Sequence, residues 1–185
     1  MAQNTALLVL DMQSSVLQML PNATTLLDNV TKAIAYARSK NIPVIYSVLG
    51  FRPGFPEISP NNAGFLSFKE TLAEVDLTEW VKIHDAVAPQ ENDIVVAKRR
   101  ASAFSGNDLE IILRANNINE LMLTGFATRG VILSTAKEAA DKDYKVIVLS
   151  DCCADTEPDI HQILIEKVFV WGAEIKTVEQ WTQNK

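Results

Sequence analysis

A chain of 185 residues with 48% hydrophobic and 22% charged side chains has the makeup of an ordinary globular protein, long enough to bury about 70% of its unfolded surface. Its 23 acidic against 17 basic residues leave a net charge of −6, which gives no electrostatic reason to expect a nucleic acid or an anionic membrane as partner. The apolar runs are of strand length, far below the roughly 18 residues of a membrane span, and no basic cluster precedes an apolar stretch at the N-terminus; the expectation is a cytoplasmic protein of one domain over residues 1–185.

In chain order, Ala6 to Leu10 is an apolar run of buried-strand type that ends in Asp11-Met12-Gln13. Leu26, Leu27, Val30, Ile34 and Ala37 recur at helical spacing and predict a helix leading to a second strand, Pro43 to Leu49. From Gly50 to Gly64, three prolines and two asparagines predict a loop of more than ten residues, a length that in compact domains tends to carry function. Ile94 to Ala97 is a third strand, followed by Lys98, Arg99, Arg100 and the Ser102-Ala103-Phe104 triplet. Ser105 or Asn107 is placed to cap a helix carrying Leu109, Ile112 and Leu113.

Leu121 to Thr124 is a fourth strand that runs into Gly125-Phe126-Ala127-Thr128-Arg129-Gly130-Val131. Val131 to Lys142 reads as a helix and Val146 to Leu149 as a fifth strand, with Asp151-Cys152-Cys153-Ala154-Asp155 after it. Ile160 to Val168 reads as helical and Ala173 to Val178 as a last strand. This alternation predicts a Rossmann-like, three-layer α/β/α sandwich with a central, mostly parallel sheet and right-handed crossovers.

In such sheets ligands bind at the carboxyl ends of the strands, where the strand order reverses. Asp11, Lys98 and the Gly125 to Val131 turn each follow a strand end. Asp11, after four apolar residues, is a candidate general acid or base whose burial raises its proton affinity; the competing reading is an Asx-type turn. Lys98 is either its electrostatic partner or part of a solvent-facing basic run with Arg99 and Arg100. Gly125 suits a close backbone approach, and the amides opening the following helix suit an oxyanion. Gln13 is placed to orient Asp11 or a water.

Arg52 and Arg129 are readable as forks for a substrate carboxylate or as members of ion pairs. Cys152 and Cys153 are adjacent, which disfavours a disulfide between them, and read either as small buried residues or as thiols near the crevice rim. His84 and His161 have no metal-ligand spacing, so neither a metal nor another cofactor is expected.

Taken in this order, the Leu7 to Gln13, Val95 to Phe104 and Thr124 to Val131 segments, with Ser134 to Ala140 and Tyr144 to Asp155, resemble the isochorismatase-like hydrolase superfamily. The resemblance implies Asp11 as acid/base, Lys98 as its pair, a cis peptide at Phe126-Ala127, and a binding turn of Phe126, Ala127, Thr128, Arg129, Gly130 and Val131. It also implies a nucleophilic cysteine where this chain has Val131, so thiol chemistry is disfavoured. True isochorismatases have a glycine there and hydrolyse a vinyl ether, for which an acid and water suffice. The nicotinamidase branch has an acid and two histidines near the second strand, and Ser47 to Glu57 contains no histidine.

The expectation is a hydrolase of a small, carboxylate-bearing molecule, self-associated as a dimer or tetramer with Trp171 or Trp181 at the interface. The alternative is a catalytically inactive binding or assembly protein that kept the pocket.

Overall fold

Strands β1 (Thr5–Leu10), β2 (Val44–Leu49), β3 (Ile94–Lys98), β4 (Glu120–Phe126), β5 (Lys145–Ala154) and β6 (Glu174–Lys176) form a sheet in the order β3-β2-β1-β4-β5-β6. Every pairing between them is parallel. The computed structural model describes residues 4–183; the other residues of the expected 1–185 domain lie outside the described residues.

Side-chain alternation along β1 explains why both sheet faces need helices. Ala6, Leu8 and Leu10 join one core with Leu113 of α5 (Leu109–Ala115) and Ala136 and Ala139 of α6 (Leu133–Asp141). Leu7 and Val9 join another with Val30, Ile34 and Ala37 of α2 (Thr24–Ser39) and Trp181 of α8 (Val178–Gln183). Each fully buried aliphatic side chain contributes about 1.5–3 kcal/mol, so the central strands anchor whatever hangs from their ends.

Four boundaries differ from the sequence reading. β5 continues past Leu149 to Ala154, because a register shift after Leu123 lets Gly125 pair with Cys153 and Phe126 with Ala154. Cys152 and Cys153 therefore lie inside a strand, one facing each core. β6 ends at Lys176: the Val178 amide donates to Asp151 Oδ1 at 2.8 Å and the Gln180 amide to Thr177 Oγ1 at 3.1 Å, which starts α8 instead. The predicted 131–142 helix is preceded by a π-helical turn, Thr128–Ile132. The 50–64 loop closes at Asn62, whose Oδ1 accepts from the Phe65 amide at 3.2 Å and opens an unforeseen helix, α3 (Ala63–Leu72).

The short helices α1 (Ser14–Leu17) and α4 (Leu77–Trp80) lie near α3, where Leu49, Phe51, Ile58, Leu72 and Trp80 make a satellite core. Among the described residues no helix is long and apolar enough to cross a membrane.

Candidate active site

The strand order reverses between β1 and β4, and the residues that follow those two strands meet there. Gly125 makes the meeting possible. Its φ is +131°, and a Cβ on it would lie 1.9 Å from the Leu10 carbonyl oxygen. Only a residue without a side chain fits that approach.

Asp11 follows β1 with φ +51°, a left-handed conformation that aspartate tolerates better than most residues. Its amide donates to the Ser47 carbonyl at 2.9 Å. Its Oδ2 lies 2.9 Å from Lys98 Nζ, while the buried Oδ1 has no hydrogen-bond partner. Burial raises the Asp11 carboxyl above its ordinary value, and the Lys98 ammonium pulls in the opposite direction.

Lys98 comes from β3, two strands and about 10 Å away across β2. Its side chain spans that distance with 2% exposure and also donates to the Arg100 carbonyl at 2.9 Å. The surface-run reading therefore fails for Lys98. Arg99 and Arg100 turn to other work, donating to the Gly50 and Glu57 carbonyls at 2.6 and 2.7 Å and tying down the 50–64 loop.

The turn after β4 contains the expected cis peptide at Phe126-Ala127. The buried Thr128 hydroxyl donates to the Ala154 carbonyl at 2.9 Å and lies 2.8 Å from His161 Nδ1 of α7 (Pro158–Ile163). A hydroxyl has one proton, so the Nδ1 tautomer is the partner that completes this pair. No sequence signal joined Thr128 to His161, 33 positions apart.

Asp11, Lys98, Phe126, Ala127, Gly130 and Val131 line a cavity of about 340 Å³. Val16, Met19, Phe65 and Phe68 supply further apolar lining. Of these, the half-buried Phe65 and Phe68 had a legible signal, an apolar pair three apart on a helix.

Four expected binding residues lie outside the cavity lining: Thr128, held by Ala154 and His161, and Gln13, Arg52 and Arg129. Gln13 is fully buried and saturated: its Nε2 donates to the Leu49 and Trp80 carbonyls at 3.2 and 2.6 Å, and its Oε1 accepts from the Leu49 amide at 2.7 Å. It clasps strand ends to α4 instead of orienting Asp11. Arg52, its side chain 65% exposed, pairs with Glu57 at 2.6 Å. Arg129 turns toward β5, its amide and Nε each 2.8 Å from the Asp155 carboxylate and its Nη1 2.9 Å from Glu157. Each guanidinium is paired with a nearby acid, and neither residue lines the cavity.

The two cysteines also lie apart from the cavity lining. Burial pushes both thiols well above their ordinary range, which disfavours thiolate. Among the described residues no three His, Cys, Asp or Glu side chains gather as a metal site.

The sequence matches the family model for the isochorismatase domain over residues 5–180. It is 32% identical to N-carbamoylsarcosine amidase of an Arthrobacter species over 145 residues, a match that covers 77% of this chain but 54% of that protein. It is also 32% identical to ureidoacrylate amidohydrolase of Yersinia enterocolitica over 168 residues, 82% of this chain and 73% of that one. The structure of an isochorismatase-like hydrolase from Alkaliphilus metalliredigens superposes with a TM-score of 0.84 at 27% identity, covering 98% of each chain.

Proposed function

This chain belongs to the isochorismatase family, and from that premise we propose that it is a hydrolase of small organic molecules that uses Asp11 as general acid and base, Lys98 as electrostatic partner, and no thioester intermediate. The observation that carries this reading is Asp11 itself, with one oxygen held by Lys98 at 2.9 Å and the other buried without a partner beside the cavity.

The chemistry follows from that asymmetry. Burial raises the proton affinity of the carboxyl and Lys98 moderates it, so Asp11 can both hold and release a proton. With a ligand seated against the Phe126 to Val131 turn, the ionised carboxylate takes a proton from the attacking water at Oδ1. It then delivers that proton to the leaving atom as the bond to it breaks, which restores the ion pair with Lys98. At the position the family resemblance assigns to a thiol, the Val131 alkyl group, 3% exposed, offers no lone pair for covalent attack.

Val131 also favours a second reading, a binding protein on the same domain. Turnover of a panel of small amides, carbamoyl compounds and vinyl ethers separates the two. Hydrolysis that Asp11→Asn abolishes supports the enzyme. Amidase activity that emerges only in Val131→Cys supports a scaffold without catalysis of its own.

For the expected cytoplasmic homo-oligomer, the residue that supports self-association is Trp171. It is 94% exposed at the rim of an open depression of about 680 Å³ that Phe169 and Ala136 also line. Trp181 is unsuited to that role because it is buried edge-on against Tyr36, ring centroids 4.8 Å apart.

A further inference from the structure

The charges at the candidate site cancel, and the surface around them is largely hydrocarbon. Asp11 and Lys98 form one ion pair, and an ammonium has three protons, of which Lys98 directs two to Asp11 Oδ2 and the Arg100 carbonyl. One donor of Lys98 and one acceptor, Asp11 Oδ1, therefore remain for a ligand. Facing them are the rings of Phe65 and Phe68 and the alkyl groups of Val16 and Val131.

The guanidiniums that could have matched an anion are engaged elsewhere. Arg100 is held by the Glu57 and Arg99 carbonyls, its cationic carbon 5.6 Å from the centre of the Phe65 ring. Arg129 is committed to Asp155 and Glu157, and Arg52 to Glu57. A carboxylate entering this cavity would exchange the hydration of two oxygens for a single ammonium proton, beside Asp11 and against hydrocarbon. A neutral group with a donor next to an acceptor loses little hydration and meets both free partners. A volume of about 340 Å³ accommodates a ring attached to such a group.

We propose that the cavity selects uncharged molecules with an apolar, ring-sized body carrying a hydrogen-bond donor for Asp11 Oδ1, and that it discriminates against carboxylates. This rests on the reading of the cavity as the substrate site, and it replaces the carboxylate-bearing substrate expected from the sequence. The selecting residues are Phe65 and Phe68, which pack on the body, while the paired state of Lys98 sets the charge preference.

The test uses probes matched in shape: benzamide against benzoate, phenylacetamide against phenylacetate, and acetamide as the ringless control. Affinities are measured by calorimetry or ligand-observed NMR at pH 7.5, with turnover followed in parallel. The expected result is that each aromatic amide binds at least tenfold more tightly than its acid and at least tenfold more tightly than acetamide. Phe68→Arg, which adds a cation to the wall, is expected to narrow or reverse the first ratio. Phe65→Ala, which keeps the charge and removes a ring, is expected to shrink the second.

Acids that bind as tightly as their amides, acetamide that matches benzamide, or no binding by any neutral probe would each overturn the proposal. The outcomes remain distinct from those for the hydrolase reading. Selective binding without conversion refutes the hydrolase and upholds the selectivity, whereas hydrolysis of the amides by a protein that binds the acids as tightly does the reverse.

Discussion

Gly125 and Leu10 are in backbone contact: a Cβ on Gly125 would sit 1.9 Å from the Leu10 carbonyl oxygen and 2.8 Å from its carbon. The residues that follow them, Asp11 on one strand and Phe126 to Val131 on the other, inherit a spacing fixed by the main chain. Gly125→Ala must push a pair of central strands apart and adopt φ +131° with a side chain. The expected loss is at least about 3 kcal/mol, the upper range for overpacking, with left-handed strain added. Urea denaturation of the variant measures it, and wild-type stability would show that the contact relaxes easily.

Removal of Lys98 tests the ion pair. The folded Asp11 carboxyl is raised above its ordinary value of 3.8, so its contribution to stability is fully present below that value and is lost as pH rises through the folded one. Lys98 opposes the rise, so Lys98→Met raises the carboxyl further. Turnover that starts from the ionised carboxylate is lost as pH falls through its pKa, so the acidic limb of any Asp11-dependent turnover then moves to higher pH. At pH above the folded value the unpaired buried carboxylate costs about 3–5 kcal/mol. A pH profile of kcat/KM that does not move would separate Lys98 from the ionisation of Asp11.

Asp155 holds the turn after β4 from behind. Its fully buried carboxylate accepts from the Arg129 amide and Nε at 2.8 Å each, and Thr156 Oγ1 accepts from Arg129 Nη2 at 2.6 Å. Asp155→Ala leaves the guanidinium and an amide short of partners, at about 1.5–3 kcal/mol for each charged hydrogen bond lost. Turnover is expected to fall about tenfold with its pH profile unchanged, because the carboxylate positions the turn and touches no reacting atom. A displaced profile would instead assign Asp155 a proton-transfer role.

His161 introduces a dependence on acid. Burial lowers its proton affinity below the ordinary value of 6.5, so the stability it contributes is present above 6.5 and is lost as pH falls through the lowered folded value. Protonation also adds a charge to a half-buried ring beside Thr128. Thermal melts of the wild type are expected to decline below pH 6.5, and His161→Gln, which keeps a donor but gains no proton, is expected to flatten some of that decline. Equal slopes in the two proteins would place the acid sensitivity elsewhere.

Trp171 tests self-association. Trp171→Glu puts a charge on the exposed indole's site without touching the core. Sedimentation is expected to show a dimer or tetramer for the wild type and a smaller species for the variant. Identical sedimentation of the two would locate any interface on another face.

The parallel α/β order was legible because a strand buried on both faces and an amphipathic helix leave unlike periods in the sequence. β5 was cut short because its end, Ser150 to Ala154, mixes polar and small residues, and pairing with Gly125 and Phe126 across a register shift is a property of the neighbouring strand. α3 was missed because its start depends on one side-chain bond from Asn62 at the end of a loop rich in turn residues.

The sequence by itself determined that Asp11, Lys98 and the Gly125 to Val131 turn stand at strand ends, since a strand's carboxyl end is marked locally by where its apolar run stops. Tertiary structure alone decided which of the polar side chains nearby face the cavity. Arg52, Arg129 and Gln13 turn away because Glu57, Asp155 and the Leu49 backbone compete for them, while Phe65 and Phe68 turn in to cover apolar surface. A side chain's direction is settled by the partners that folding brings within reach, and no local pattern encodes that competition.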